Sequence, residues 1–236
     1  MPAPPASVVP PASLASASGV LRAFRAEAEA LSAAMSAVRP DEWALPTRCA
    51  PWSIADLLGH VTVVIDWLPG MLAAAAPPRA ETDAVGYYRP DARFSPASNA
   101  HRVDLARERA AHARPTPAAD FEATWRAVDR LCAVEPDGRL VRTRHGDAIA
   151  LADFLLTRVV ELALHGLDLA DALGRDSWLT PEAAAALLAL LGGTAAAEAP
   201  GWSPERLLRA ASGRAPFPSA DHRTACDLGL RALTLG

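Results

Sequence analysis

The sequence predicts a mainly all-α fold with a four-helix bundle as its core. Three observations predict it. Several segments repeat apolar residues at steps of three and four, the spacing of one helix face. Helix-starting and helix-stopping residues bracket those segments. No series of alternating apolar and polar runs suggests a strand-built core.

The first helix is expected from Gly19 to Arg39. Leu21, Phe24, Ala28, Leu31, Met35 and Val38 share a face, and Pro40 stops it. A second begins at Ser53, where Ser53-Ile54-Ala55-Asp56 is a capping-box start with Asp in place of Glu. It runs on through LLGHVTVVIDWLPGML, apolar on most sides and therefore expected to be buried, and Pro69 is expected to kink or end it. Residues 77–98 carry several prolines, Gly86 and Tyr87-Tyr88, and read as a loop long enough to line a site or act as a lid. Helices follow at 99–113 and 117–133, the latter with Phe121, Trp125, Val128 and Leu131 on its apolar face.

Residues 139–150, around His145-Gly146-Asp147, are expected to form a short β-hairpin. The strongest helix runs from Ala150 to Leu173 and is closed by Gly174. Thr180-Pro181-Glu182 and Ser203-Pro204-Glu205 each start another with an N-cap and a proline behind it, and the second of these ends at Gly213. The expected organisation is a disordered Pro/Ala-rich tail at 1–18, a bundle at 19–195 and a small C-terminal extension at 196–236, helical or α/β, packed on the bundle.

Composition removes several function classes. All 23 basic residues are Arg, so no Schiff-base lysine, pyridoxal-phosphate lysine or Walker lysine exists. The formal net charge of −4 carries no basic stripe, which argues against nucleic-acid binding. Cys49, Cys132 and Cys226 are widely spaced with no C-x-x-C pair, as in a reducing compartment. The N-terminal stretch has neither a positive start nor a continuous apolar run, and no apolar run reaches about 18 residues free of charge and proline. These features lead to the expectation of a soluble cytoplasmic protein, monomeric or homodimeric, with no membrane partner.

The helix LADFLLTRVVELALHGLDLADALG holds the chemistry. Arg158, Glu161, His165 and Asp168 fall on one line along it. Such a line is ordinarily a solvated face laced by ion pairs. The remaining positions, from Phe154 to Leu169, are apolar over far more than the roughly 100° arc of a surface helix, so the line could instead face an internal cavity. Glu161 and His165 are four apart and can converge on one ion, with a third ligand needed from elsewhere. His101, His112, His145 and His222 sit in polar surroundings and read as surface residues. His60 lies within Leu57-Leu58-Gly59-His60-Val61 on a buried helix, either as a core histidine bonded to a carbonyl or as a ligand. Gly59 beside it suits close helix approach. Cys49 reads as a packed small residue with nothing basic placed to activate it.

Two stretches carry a family resemblance. Trp43 to Val61 (WALPTRCAPWSIADLLGHV) and Arg158 to Leu169 (RVVELALHGLDL) resemble the signatures of the mycothiol-dependent maleylpyruvate isomerase family, within the DinB-like superfamily. Leu207 to Arg214 resembles a later family element that often reads T-G-R, with Ser212 here in place of Thr. The resemblance runs from about Leu21 to Leu191. It implies a DinB-like four-helix bundle. It also implies a divalent metal on His60, Glu161 and His165, zinc first and nickel or iron as alternatives.

The further implications are mycothiol as thiol cofactor or co-substrate and an enzyme that isomerises or S-transfers a small electrophile such as an unsaturated keto acid. Asp168 is a candidate to orient His165, and Arg158 to pair with Glu161 or receive a substrate carboxylate; a helix-surface ion pair is the alternative for both. No catalytic residue beyond the metal site is implied. Three other readings stand beside this one. They are a thiol-independent metalloenzyme of specialised metabolism, a non-catalytic metal- or small-molecule-binding protein, and a non-haem iron oxygenase built on two His and a carboxylate.

Overall fold

The structure, a computed structural model, describes residues 16–89, 95–113, 115–192, 194–198, 201–216 and 218–233. Most of the expected tail, and the centre of the 77–98 loop, lie outside the described residues.

Four long helices make the bundle: α1 (Ala17–Ser36), α2 (Ile54–Ala73), α4 (Pro117–Ala133) and α5 (Leu151–Leu173). They form a closed ring in which α1 packs on α4 and α5, and α2 packs on the same two. Between α2 and α4 in sequence comes α3 (Pro96–Ala113), which lies across α2 on the outside of the ring. The hairpin is β1 (Leu140–Arg142) and β2 (Ala148–Ala150), antiparallel with Val141 opposite Ile149. Beyond the bundle are α6 (Pro181–Leu190), α7 (Thr194–Ala197), α8 (Pro204–Ala211) and α9 (Ser219–Asp227). The described residues after 195 form helices and turns.

Local signals account for most of these ends. Ser53 caps α2 with both halves of a capping box, its hydroxyl accepting from the Asp56 N–H while the Asp56 carboxylate accepts from the Ser53 N–H. Thr180 and Ser203 cap α6 and α8 ahead of Pro181 and Pro204. Gly174 ends α5 in the left-handed region at φ 62°, open to glycine at no steric cost. Pro69 does not end α2. The helix continues to Ala73, because the proline costs one hydrogen bond in the penultimate turn while Leu68 and Met71 remain buried in the core. By length and composition α2 could cross a membrane, yet 67% of that window is buried inside the protein.

Gly59 explains how α3 reaches α2. A Cβ there would stand 2.5 Å from the Ala106 carbonyl oxygen and 3.1 Å from the Ala110 nitrogen. Ala106 and Ala110 are the only buried residues of α3, so this helix is seated on a glycine notch and two alanines.

Helix α5 is enclosed on most sides. Eighteen of its 23 residues are buried, which places its polar line inside the molecule and not on a solvated face. On α1, the fully buried Glu27 accepts from both the N–H and the hydroxyl of Thr180, at 2.9 and 2.6 Å, tying α1 to the start of α6. Burial, opposed by those two bonds, raises its pKa from 4.5 to about 7. The folded chain therefore keeps a proton that the unfolded chain releases above pH 4.5. Stability should fall as pH rises from about 4.5 to 7, by about 3 kcal/mol in all, and then level off. Glu27→Gln should flatten that decline in urea titrations across this range. An undiminished decline would remove Glu27 as its source.

Candidate metal site and ligand cavity

Helices α2 and α5 are neighbours in the ring, and their facing polar residues meet. His60 from α2 and Glu161 and His165 from α5 bring Nε2, Oε2 and Nε2 together. His60 Nε2 is 3.4 Å and His165 Nε2 3.3 Å from Glu161 Oε2. All three ligand atoms lie within 4.8 Å of one another, and both histidines are buried. The Trp52 indole stacks on the His60 ring, centroids 4.7 Å apart, and holds it edge-on to His165.

Asp168, fully buried one turn beyond His165, accepts from His165 Nδ1 at 3.0 Å. That fixes the ring with its Nε2 turned toward Glu161. Asp168 also accepts from Arg214 Nε at 2.9 Å and Nη2 at 2.7 Å. Burial would raise the Asp168 carboxyl, but His165 and Arg214 outweigh it and hold the pKa at about 2. Burial likewise opposes charge on Glu161, yet bonds from His165 and His60 and the nearby Arg158 keep it well below the usual carboxylate range. Burial lowers His60 against the pull of Glu161, so this ring is neutral.

These groups line a cavity of about 790 Å³. On one side its wall is the C-terminal segment from Ala210 to Arg214, together with Leu233. Arg48 clips that segment down by donating to the carbonyls of Gly213 and Arg214, at 3.0 and 2.9 Å. On another side are Tyr87 and Tyr88, from the loop expected to border a site, with Asn99, Arg102 and Val103 of α3.

Two residues sit differently from expectation. Cys49 is not merely packed. It lines the cavity, with Sγ donating to Asp168 Oδ2 at 3.3 Å and 3.9 Å from His165 Nδ1. His145 is not an ordinary surface residue, since the hairpin turn carries it to the cavity wall beside Tyr87. Both arrive through loop positions that helix periodicity cannot report. Arg158 and Asp168 are buried, which rules out a helix-surface ion pair for either.

A family model for the mycothiol maleylpyruvate isomerase N-terminal domain matches residues 24–170. The chain belongs to that family. Among relatives of the isomerase-family chain are two Mycobacterium tuberculosis proteins, both named as uncharacterized. Each is 30% identical over 156 residues, covering 64% of this chain and 55% of the relative. The chain thus spans about half the length of the curated relatives it matches. The crystal structure of the mycothiol-dependent maleylpyruvate isomerase superposes with a TM-score of 0.58 at 15% identity, covering 86% of this chain and 92% of that one. A single-residue variant of the same isomerase gives 0.51 at 16% identity. These likenesses establish the mostly helical, DinB-like fold. The matched family region ends before the C-terminal wall of the cavity, so Arg214 comes from outside it.

Proposed function

We propose that the chain is a metal- and mycothiol-dependent enzyme that isomerises or S-transfers a small electrophile such as an unsaturated keto acid. The observation that carries this is the spacing of the three donor atoms. Contacts of 3.3 and 3.4 Å are long for charge-assisted hydrogen bonds, which run about 2.7–2.9 Å. Both equal the edge of a tetrahedron whose centre is about 2.0–2.1 Å from each corner, the bond length zinc makes with imidazole and carboxylate, and the two Nε2 atoms lie within 4.8 Å of each other. Two imidazoles and one carboxylate are also a donor set of catalytic zinc sites, which keep a position open for a further ligand. Burial of the His165 ring is outweighed by Asp168, Cys49 and Glu161, which hold it well above the usual imidazole range, and it would give up its Nε2 proton to the ion.

His60, Glu161 and His165 would hold the ion, zinc first and nickel or iron as alternatives. Bound there, it would supply Lewis acidity that favours thiolate over thiol near neutral pH. The chain's own residues supply the rest. Asp168 keeps the proton of His165 on Nδ1, and Arg214 keeps Asp168 ionised. Trp52 fixes the His60 ring. The cavity has room for both a low-molecular-weight thiol and a small substrate. Addition of a thiolate to an activated carbon turns the double bond into a single one. Rotation followed by loss of the thiol gives isomerisation, and retention of the thiol gives transfer.

The decisive experiment combines metal analysis of the purified protein with turnover of unsaturated keto acids, with and without mycothiol. Stoichiometric zinc and a rate that requires mycothiol are expected. Metal with thiol-independent turnover would favour the thiol-free metalloenzyme, and iron with oxygen consumption the oxygenase. Protein free of divalent metal would overturn the reading.

A further inference from the structure

The cavity wall carries a further charged group beside the three proposed ligands. Arg158 is 1% exposed and its guanidinium is fixed on two sides. Its Nε donates to Thr157 Oγ1 at 3.1 Å and its Nη1 to the Val64 carbonyl at 3.2 Å. Its Nη2 is buried without a hydrogen-bond partner among the described residues and stands 3.9 Å from Glu161 Oε1, beyond hydrogen-bond reach. Glu161 is already shared by two histidines. A buried, charged donor left unmade is costly, so a fixed orphan on a cavity wall calls for an acceptor that arrives with the ligand.

The surroundings specify the acceptor's charge. Arg158 lies 4.7 Å from the Phe154 ring centroid, 5.6 Å from Tyr87 and 5.7 Å from Trp67. The other guanidinium against Trp67 is Arg144, at 4.6 Å, which makes no ion pair among the described residues. Burial, and to a smaller extent the charges of Arg102 and Arg158, hold Arg144 below the usual arginine range. Like charges gathered around an aromatic wall focus a positive potential into the cavity. The planar fork of arginine matches a carboxylate.

We infer that Arg158 anchors a carboxylate of the electrophilic substrate, with Arg144 and Arg102 supplying the surrounding field, making this end of the cavity a carboxylate subsite that selects acids over their neutral analogues. The inference rests on the proposed function, and its test separates the two. Maleate, a small cis dicarboxylate, and maleamide, its uncharged diamide, are titrated calorimetrically at low and high salt into the wild-type protein, Arg158→Met, Arg144→Gln and His165→Ala. Wild type should bind maleate with salt-weakened affinity and ignore maleamide. Arg158→Met should lose about tenfold or more in maleate affinity, and methionine in place of a buried charge should not unfold the chain.

Arg144→Gln, at an exposed position, should lose about threefold with a shallower salt dependence. Maleate binding should persist in His165→Ala and vanish when Arg158→Met is added, which excludes binding through the metal. Equal binding of the diamide, or maleate affinity unchanged in a folded Arg158→Met chain, overturns the subsite. Should that variant not fold, an unchanged Arg144→Gln affinity and salt slope overturns it. Arg158-dependent maleate binding without thiol-dependent turnover would sink the proposed function and leave the subsite standing.

Discussion

A His165→Ala chain is expected to purify without zinc and without thiol-dependent turnover, while keeping its helical circular dichroism. His165 contributes one of three donor atoms, and two donors rarely retain an ion against dilution. The loss of metal affinity should exceed the roughly 10–100-fold typical of outer-shell partners. The fold should survive because of how the neighbours are satisfied. His165 already borders an open cavity, so truncation opens little new void. Asp168 loses the imidazole but keeps both bonds from Arg214 and is not orphaned. Destabilisation should stay within about 1–3 kcal/mol. Elemental analysis of the variant beside wild type checks this, and full zinc occupancy without His165 would sink the ligand assignment.

The second large effect should come from Asp168→Ala, in stability and in metal binding together. The carboxylate is fully buried and accepts from Arg214, His165 and Cys49. Removing it strands the Arg214 guanidinium, whose side chain is 7% exposed, and breaking one side of a buried pair costs about 3–5 kcal/mol. The His165 ring is then free to turn or change tautomer, for a further tenfold or more in metal affinity. Urea titration and metal competition read the two effects separately. A loss under about 1 kcal/mol would mean that Arg214 finds another partner and that the Arg214–Asp168–His165 chain is not a structural unit.

How much of this was legible follows from the range of each signal. Caps and stops are local, so Ser53, Thr180, Ser203 and Gly174 gave helix ends, and α4 spans 117–133 as expected. Pro69 does not mark the end of α2, because its cost is local while the burial that outweighs it is tertiary. In α5 the breadth of the apolar arc mattered more than the polar line it left, since only a helix packed on most sides can spend so many positions on apolar residues. The places of Cys49 and His145 at the cavity stayed out of reach, and Arg214 was visible only within the resembled Ser212-Gly213-Arg214 element, without its partner. Each meets the site through a loop or turn, and the partner of Arg214 lies 46 residues away in sequence. Arg158 was visible as a candidate, but its orphan Nη2 is a fact of three dimensions.

The notch at Gly59 has a consequence for how this cavity can change over time. The proposed metal ligands stand on α2 and α5, ring helices locked by the core. Much of the opposite wall belongs to α3, which is seated on α2 by two alanines over a glycine and tied to it by Arg109 and Asp66. Asn99, Arg102 and Val103 lie outside that seam, so their side chains could be exchanged without displacing the helix that carries His60. On the proposed function, chemistry and selectivity would reside on different helices, so descendants of such a chain could take up new substrates with His60, Glu161 and His165 unchanged.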